Sequence, residues 1–287
     1  MRKSEMRIQA KNAAKISIQE NFSKYLLGII IYSGLLFLFN LVRKNYFTVS
    51  EALNVLEGLP LVFSVNSVLG NILELISNAV IAPVLSYGVY KTFRRIQEHK
   101  EVQGYACLFD AFKDNFKNII WVNFIINLLI YGLNILIMLI GLFVFLPIIF
   151  NGDYVSTILP FVFFVLIVIM VVVSVFIMIR FVFANLILVD NANESLKSVF
   201  AKSKELTKNS FGDIIIFHFS FFGWVILVGF LKVFCLMIPV IGGVLFALLS
   251  AILTIYQMAS LINLYDLYKG DKVEIVSEKV ETVLLDN

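Results

Sequence analysis

Ser67, Asn71, Glu74 and Asn78 recur at i, i+4, i+7 and i+11, which sets a hydroxyl, two amides and a carboxyl on one face of a helix. The surrounding sequence is apolar, and a charge at the bilayer centre costs about 2.5–3.5 kcal/mol on insertion scales. Such a stripe serves a hydrogen-bonded seam between helices, a water-filled crevice or an exit to the interface. Arg180 and Lys232 stand at the edges of other apolar runs. Asn71, Glu74, Asn78 and Arg180 are therefore the candidate lining of a polar crevice, and Glu74 with Lys232 is a candidate ion pair in the outer half of the membrane. Plainer roles for Arg180 are anchoring, or holding a neighbouring carbonyl or Asp190. Asn123, Asn127 and Asn134, at i, i+4 and i+11, read as amides that join helices. His99 and His218 are far apart, no His or Cys cluster has metal-ligand spacing, and no Gly-rich phosphate loop, serine elbow or His-Glu-x-x-His pair occurs. The expectation is a protein that is not an enzyme, with no catalytic residue, metal or cofactor.

The elements that must position these residues follow from composition. Of 287 residues, 60% are hydrophobic and 15% charged, against roughly a quarter charged in soluble domains. Uncharged runs at 25–42, 118–152, 154–179, 214–231 and 233–265 hold 18, 35, 26, 18 and 33 residues, and a helix spans a bilayer with about 17–25. Water is not the main solvent of this chain, and no stretch between the runs is long enough for a soluble catalytic domain. The net charge of +3 is small, and the basic loops also hold Glu98, Glu101, Asp110 and Asp114, which disfavours a nucleic-acid partner. The basic N-terminus turns apolar at Tyr25, but a long basic region, no small-x-small site, and Arg43-Lys44 after the run mark a retained span rather than a signal. Cys107 and Cys235 are expected on opposite sides of the membrane, which precludes a disulfide.

Charge placement sets the count. Six helices near 25–42, 66–93, 118–148, 158–187, 213–237 and 244–268 put 20 of the 23 Lys and Arg on one side, with only Arg43, Lys44 and Lys232 on the other. A seventh span in the middle would leave 13 against 10. Asn151-Gly152-Asp153 after Pro147, and Pro239 with Gly242-Gly243, read as external hairpin turns. The loop 43–65 carries a short interfacial helix by the spacing of Ala52, Leu53, Val55 and Leu56.

Asn21-Phe22, Asn115-Phe116 and Asn209-Ser210-Phe211 each directly precede an apolar span, with the asparagines 94 and 94 residues apart. Each follows an amphipathic segment. Tyr105, Leu108, Phe109, Phe112 and Phe116 make one apolar face, and Leu196, Val199, Phe200, Ser203 and Leu206 nearly repeat it. The first copy has Met6, Ala10, Ala13, Ala14, Ile18 and Phe22, flanked by a basic stripe of Arg7, Lys11 and Lys15 that suits an anionic leaflet. The expected fold is an all-α polytopic membrane protein with six transmembrane helices. They are arranged as three parallel hairpin repeats, each preceded by a cytoplasmic amphipathic helix, in a single membrane domain 1–287 with repeats at 1–94, 95–188 and 189–287.

Asp190-Asn191, Ser195, Phe200, Ser203-Lys204-Glu205-Leu206, Lys208-Asn209 and Gly223-Trp224, with Ala13-Ala14, Asn21-Phe22, Pro83, Tyr87-Gly88 and Arg180-Phe181 in the same order, give the chain a family likeness. It resembles a bacterial integral membrane family catalogued as domain of unknown function 975. More distantly it is similar to the membrane region of glycerophosphodiester phosphodiesterases, whose soluble catalytic domain it lacks. The resemblance implies a six-helix bacterial membrane protein of unassigned function and carries over no catalytic residue. The loop 43–65 is longer than that family implies.

Together these readings point to a bacterial plasma-membrane protein, multi-pass, with both termini cytoplasmic. Its expected role is to organise lipid or partner proteins, with membrane lipids, anionic headgroups at the cytoplasmic face, and a protein partner or second copy as its partners. The rival expectation is a transporter or export/immunity factor for a lipid-like or peptide solute, using the Asn71, Glu74, Asn78 and Arg180 crevice.

Overall fold

The computed structural model describes residues 3–47, 80–98, 105–151, 158–236 and 241–270. Among these residues the regular elements are all helical, without strands: α1 (Lys3–Phe47), α2 (Ala82–Gln97), a 3-10 segment (Tyr105–Phe112), α3 (Phe116–Asn151), α4 (Ile158–Arg180), α5 (Ala184–Asp190), α6 (Leu196–Lys208), α7 (Phe211–Phe219), α8 (Phe222–Leu236) and α9 (Ile241–Lys269). Among the described residues, four stretches are helices long and apolar enough to cross a membrane: Lys3–Leu38, Phe164–Asp190, Phe211–Phe234 and Gly242–Lys269. They correspond to the first, fourth, fifth and sixth expected spans. The third lies in α3, of which Phe116–Ile130 is a shorter apolar helix, and the second is described only from residue 80 onward. Of the loop 43–65, residues 43–47 extend α1 and the rest lies outside the described residues.

The helices are inverted relative to a water-soluble bundle. Phe164, Val172, Phe176, Phe230 and Phe234 are exposed along α4 and α8, as hydrocarbon-facing side chains are. The buried core gathers toward the charge-rich ends of the helices, around Tyr25, Phe93, Leu108, Ile119, Phe183, Leu186, Phe217, Ile262 and Tyr265. α1 packs most extensively on α9. Ala10, Ala14, Ala259 and Ser260 are all fully buried, and side chains this small let two backbones approach closely. The amide of Asn263 donates to the Ala10 carbonyl at 3.3 Å, and that of Gln97 donates to the Ala259 carbonyl at 3.1 Å, adding α2 to the pair.

Each recurring asparagine marks a break between a polar helix and an apolar one. Asn21 leaves helical geometry inside α1 at φ −129°, ψ 28°. Asn115 precedes α3, its side-chain oxygen accepting from the Asn118 backbone N–H at 3.4 Å. Asn209 closes α6, and Ser210, at φ −123°, ψ 13°, repeats the backbone of Asn21 before α7 starts. Short polar side chains compete for backbone hydrogen bonds, which is why they stand where a helix changes direction. Ser195 caps α6 by accepting from the Ser198 N–H.

Two expectations change. The spacing from Tyr105 predicts an amphipathic α-helix with Tyr105, Leu108, Phe109, Phe112 and Phe116 on one apolar face. The structure has a 3-10 segment there, in which Cys107, Leu108 and Ala111 are buried while Phe109 and Phe112 are exposed. The cause is the fit against α2, where a Cβ added to Gly88 would lie 2.1 Å from the Leu108 carbonyl oxygen. The backbone of the segment rests directly on Gly88, so Leu108 and its neighbours turn inward together. Next, the basic stripe of Arg7, Lys11 and Lys15 is expected to face an anionic leaflet. Instead Arg7 Nη1 meets Asp213 Oδ1 at 2.9 Å, and Lys11 donates to the Ser220 hydroxyl and stands 4.4 Å from the centre of the Phe221 ring. Both cations are turned toward the protein, while Lys15 stays exposed.

Candidate functional site

The charged ends of α2, α5 and α9 meet at Arg94. Its guanidinium donates from Nε to Glu98 at 3.2 Å and reaches with Nη2 to Asp190 Oδ1 at 3.1 Å and Asp266 Oδ1 at 3.0 Å. The Asp266 side chain is 5% exposed and that of Arg94 13%. A buried carboxylate and guanidinium survive desolvation only with such mutual pairing. The Arg94 Nη1 nitrogen is also buried and has no hydrogen-bond partner among the described residues.

Asp190 is held from a second direction. The Tyr265 hydroxyl donates to Oδ2 at 2.8 Å and Lys269 Nζ reaches the same oxygen at 3.1 Å. An equivalent clamp stands on α2, where the Tyr87 hydroxyl donates to Asp114 Oδ2 at 2.8 Å and Lys91 Nζ at 2.6 Å. Lys91 also lies 3.1 Å from Asp110, which Arg95 contacts at 3.2 Å. In both clamps the tyrosine and lysine are four residues apart, one helical turn, so they point the same way. Both stand in one motif: Tyr87-Gly88-Val89-Tyr90-Lys91 and Tyr265-Asp266-Leu267-Tyr268-Lys269. This Tyr-x-x-Tyr-Lys recurrence, readable in the sequence, is the signal that would have found the clamps, and the sequence reading passed over it.

Two open cavities flank Asp190 and Lys269. One, of about 480 Å³, is lined by Lys91, Arg94, Arg95 and Glu98 as well as those two. The other, of about 650 Å³, lies among α5, α6 and α9 and adds Glu194, Lys202, Glu205 and Tyr268. At the entrance to α6, Glu194 accepts from the Ser198 hydroxyl at 2.5 Å and pairs with Lys202 at 2.9 Å. These contacts hold its carboxyl below the usual carboxylate range, the Ser198 hydrogen bond contributing most.

Of the crevice residues named from sequence, Asn71, Glu74 and Asn78 lie outside the described residues, as does the Glu74 half of the pair with Lys232. Lys232 is exposed, its ammonium 5.2 Å from the centre of the Phe246 ring. Arg180 is described, and its guanidinium lies 5.1 Å from the Phe176 ring centre and 5.7 Å from that of Phe211, with Nη1 3.5 Å from the Lys204 carbonyl. The Ser203 hydroxyl donates to the Arg180 carbonyl at 2.9 Å, so this arginine binds α6 onto α4. Asn123 exchanges hydrogen bonds with Asn185 at 2.9 and 3.2 Å, joining α3 to α5. His218 Nδ1 lies 2.8 Å from the Ile214 carbonyl of its own helix.

The arrangement can do two things chemically. It locks three helix ends together through fixed charges, and it presents cations to an open cavity at the edge of the apolar region. No protein-family model, no curated protein and no solved structure matches this chain.

Proposed function

We propose that the chain is a bacterial plasma-membrane protein that crosses six times as three parallel hairpins, has both termini in the cytoplasm, and organises anionic lipid, or a partner, at the cytoplasmic leaflet without catalysing a reaction. The breaks at Asn21, Asn115 and Ser210 support the hairpin repeat. So does the packing circuit: the 3-10 segment sits on α2, α6 on α5, and the polar half of α1 on α9. In this arrangement each polar helix covers the end of the second helix of another hairpin, and α1 closes the ring. The Tyr-x-x-Tyr-Lys recurrence falls at the ends of the second helices of the first and third units. The likeness to the family of unknown function fits this architecture through the residues quoted for it.

One observation carries the role. The polar layer is fixed internally by ion pairs, while Ile8, Phe22, Phe109 and Phe112 beside it are exposed, the first and last to 61% and 60%. A rigid charged layer rimmed with outward apolar side chains suits insertion at headgroup depth.

Quenching of intrinsic fluorescence tests the role. Trp121 and Trp224 are both exposed, and Trp224→Phe leaves Trp121, near the start of α3, as the reporter. In vesicles with brominated phosphatidylglycerol against brominated phosphatidylcholine, the anionic lipid should be preferred about fivefold at low salt, the preference fading as salt screens it. A ratio of one at low salt contradicts the role. Solute flux abolished by Arg180→Gln would favour the transporter instead.

A further inference from the structure

We propose that the 480 Å³ cavity walled by Lys91, Arg94, Arg95 and Lys269 is a binding site for a phosphate group. Its wall holds four cations against the carboxylates of Glu98 and Asp190. The carboxylates behind the cations have fixed partners. Asp114 is clamped by Tyr87 and Lys91, Asp110 lies between Lys91 and Arg95, and Asp190 receives Arg94, Tyr265 and Lys269. The cations are thus held in place before a ligand arrives, which spares the entropy of ordering long side chains on binding.

The two arginines contribute to the cavity differently. Nε and Nη2 are committed to carboxylates, whereas Nη1 is buried with no hydrogen-bond partner among the described residues. Nη1 is out of reach from the open cavity, so Arg94 contributes its charge to the site rather than a free donor. Arg95 contacts Asp110 through Nη2 at 3.2 Å and its side chain is 38% exposed, so its guanidinium has further donors to offer a ligand. Two guanidinium groups and two ammonium groups around one space suit a tetrahedral anion with several acceptor oxygens better than a single carboxylate. Lys91 stands at the boundary between the apolar part of α2 and its charged end, so the phosphate can come from a lipid headgroup or from solution. The inference deepens the lipid-organising reading and rests on it for the headgroup source alone.

The test uses the full chain in nanodiscs, with two probes: inorganic phosphate in phosphatidylcholine discs, and phosphatidylglycerol mixed into those discs. Thermal stabilisation is read against chloride at matched ionic strength. Wild type should be stabilised by at least one probe. Arg95→Gln should raise the half-saturating concentration about tenfold, and Lys117→Gln, on the exposed surface of α3, should behave as wild type. If Arg95→Gln does not fold, Lys269→Gln removes a cation from the same wall and is expected to have the same effect. Stabilisation by phosphatidylglycerol supports the site with a headgroup source. Stabilisation by inorganic phosphate alone supports the site and counts against the lipid-organising role. No stabilisation by either probe beyond chloride, or stabilisation unchanged in the folded cavity variants, overturns the proposal.

Discussion

Arg94 Nη2 lies 3.1 Å from Asp190 Oδ1, and through that contact the charged end of α2 is fixed to the end of α5. Asp266 on α9, 3.0 Å from the same nitrogen, completes a junction of three helices. The apolar lengths of these helices have little preference for one another over lipid, since hydrocarbon tails are as apolar as leucine. Their relative placement is therefore set by the polar junction more than by apolar contact.

Removing the guanidinium leaves the Asp266 carboxylate buried without its arginine. Arg94→Gln should lower stability by about 3 kcal/mol, in the range found when one partner of a buried pair is deleted. Adding Asp266→Asn should recover more than half of that loss. Unfolding of the single and double variants in mixed micelles measures both, and additive losses would show that the two residues do not act together.

Gly88 is a site where any side chain collides with backbone. A Cβ there falls 2.1 Å from the Leu108 carbonyl oxygen and 2.6 Å from the Leu108 Cα, so the 3-10 segment must move away from α2. Gly88→Ala should cost about 1–3 kcal/mol, as overpacked sites do. It should also open Cys107, now buried with its sulfur 3.0 Å from the Thr92 hydroxyl. Maleimide labelling of Cys107 should be faster in Gly88→Ala than in wild type; equal rates would mean that the contact is not tight.

Glu194 ties the approach to α6 through Ser198 and Lys202, and its carboxyl titrates below the ordinary carboxylate range. A depressed value means that the tie is complete above the unfolded-state value and is lost as pH falls through the folded one. Amide exchange in residues 196–200, corrected for the intrinsic rate, should stay constant from neutral pH down to the carboxylate range and rise below it. In Glu194→Gln the rise should be absent. A pH step of equal size in that variant would assign the effect to another group.

Much of the helical plan is legible in the chain. Runs of uncharged residues mark the apolar helices, and Asn21, Asn115, Asn209 and Ser195 mark where helices break or begin, because capping and turning are local chemistry. What the sequence hides is long range. The stripe of Arg7 and Lys11 is visible, but that Asp213 and Phe221 lie opposite depends on α1 folding back over α7 and α8. The 3-10 geometry of Tyr105–Phe112 is imposed by contact with Gly88, not by its own periodicity. For Arg180, the sequence reading offered a neighbouring carbonyl or Asp190. The carbonyl is that of Lys204, and Asp190 belongs to Arg94, a pairing between distant segments that spacing cannot show.

Side-specific labelling of single cysteines in intact cells tests the transmembrane arrangement most directly. With Cys107 and Cys235 replaced, cysteines introduced at Lys15, Lys113 and Lys202 should react with an impermeant maleimide only after permeabilisation. Cysteines at Asp153 and Lys232 should react at once. Reaction of the Lys113 or Lys202 position from outside the intact cell would mean that the charged layer is split across the membrane, and the three-hairpin account would fail.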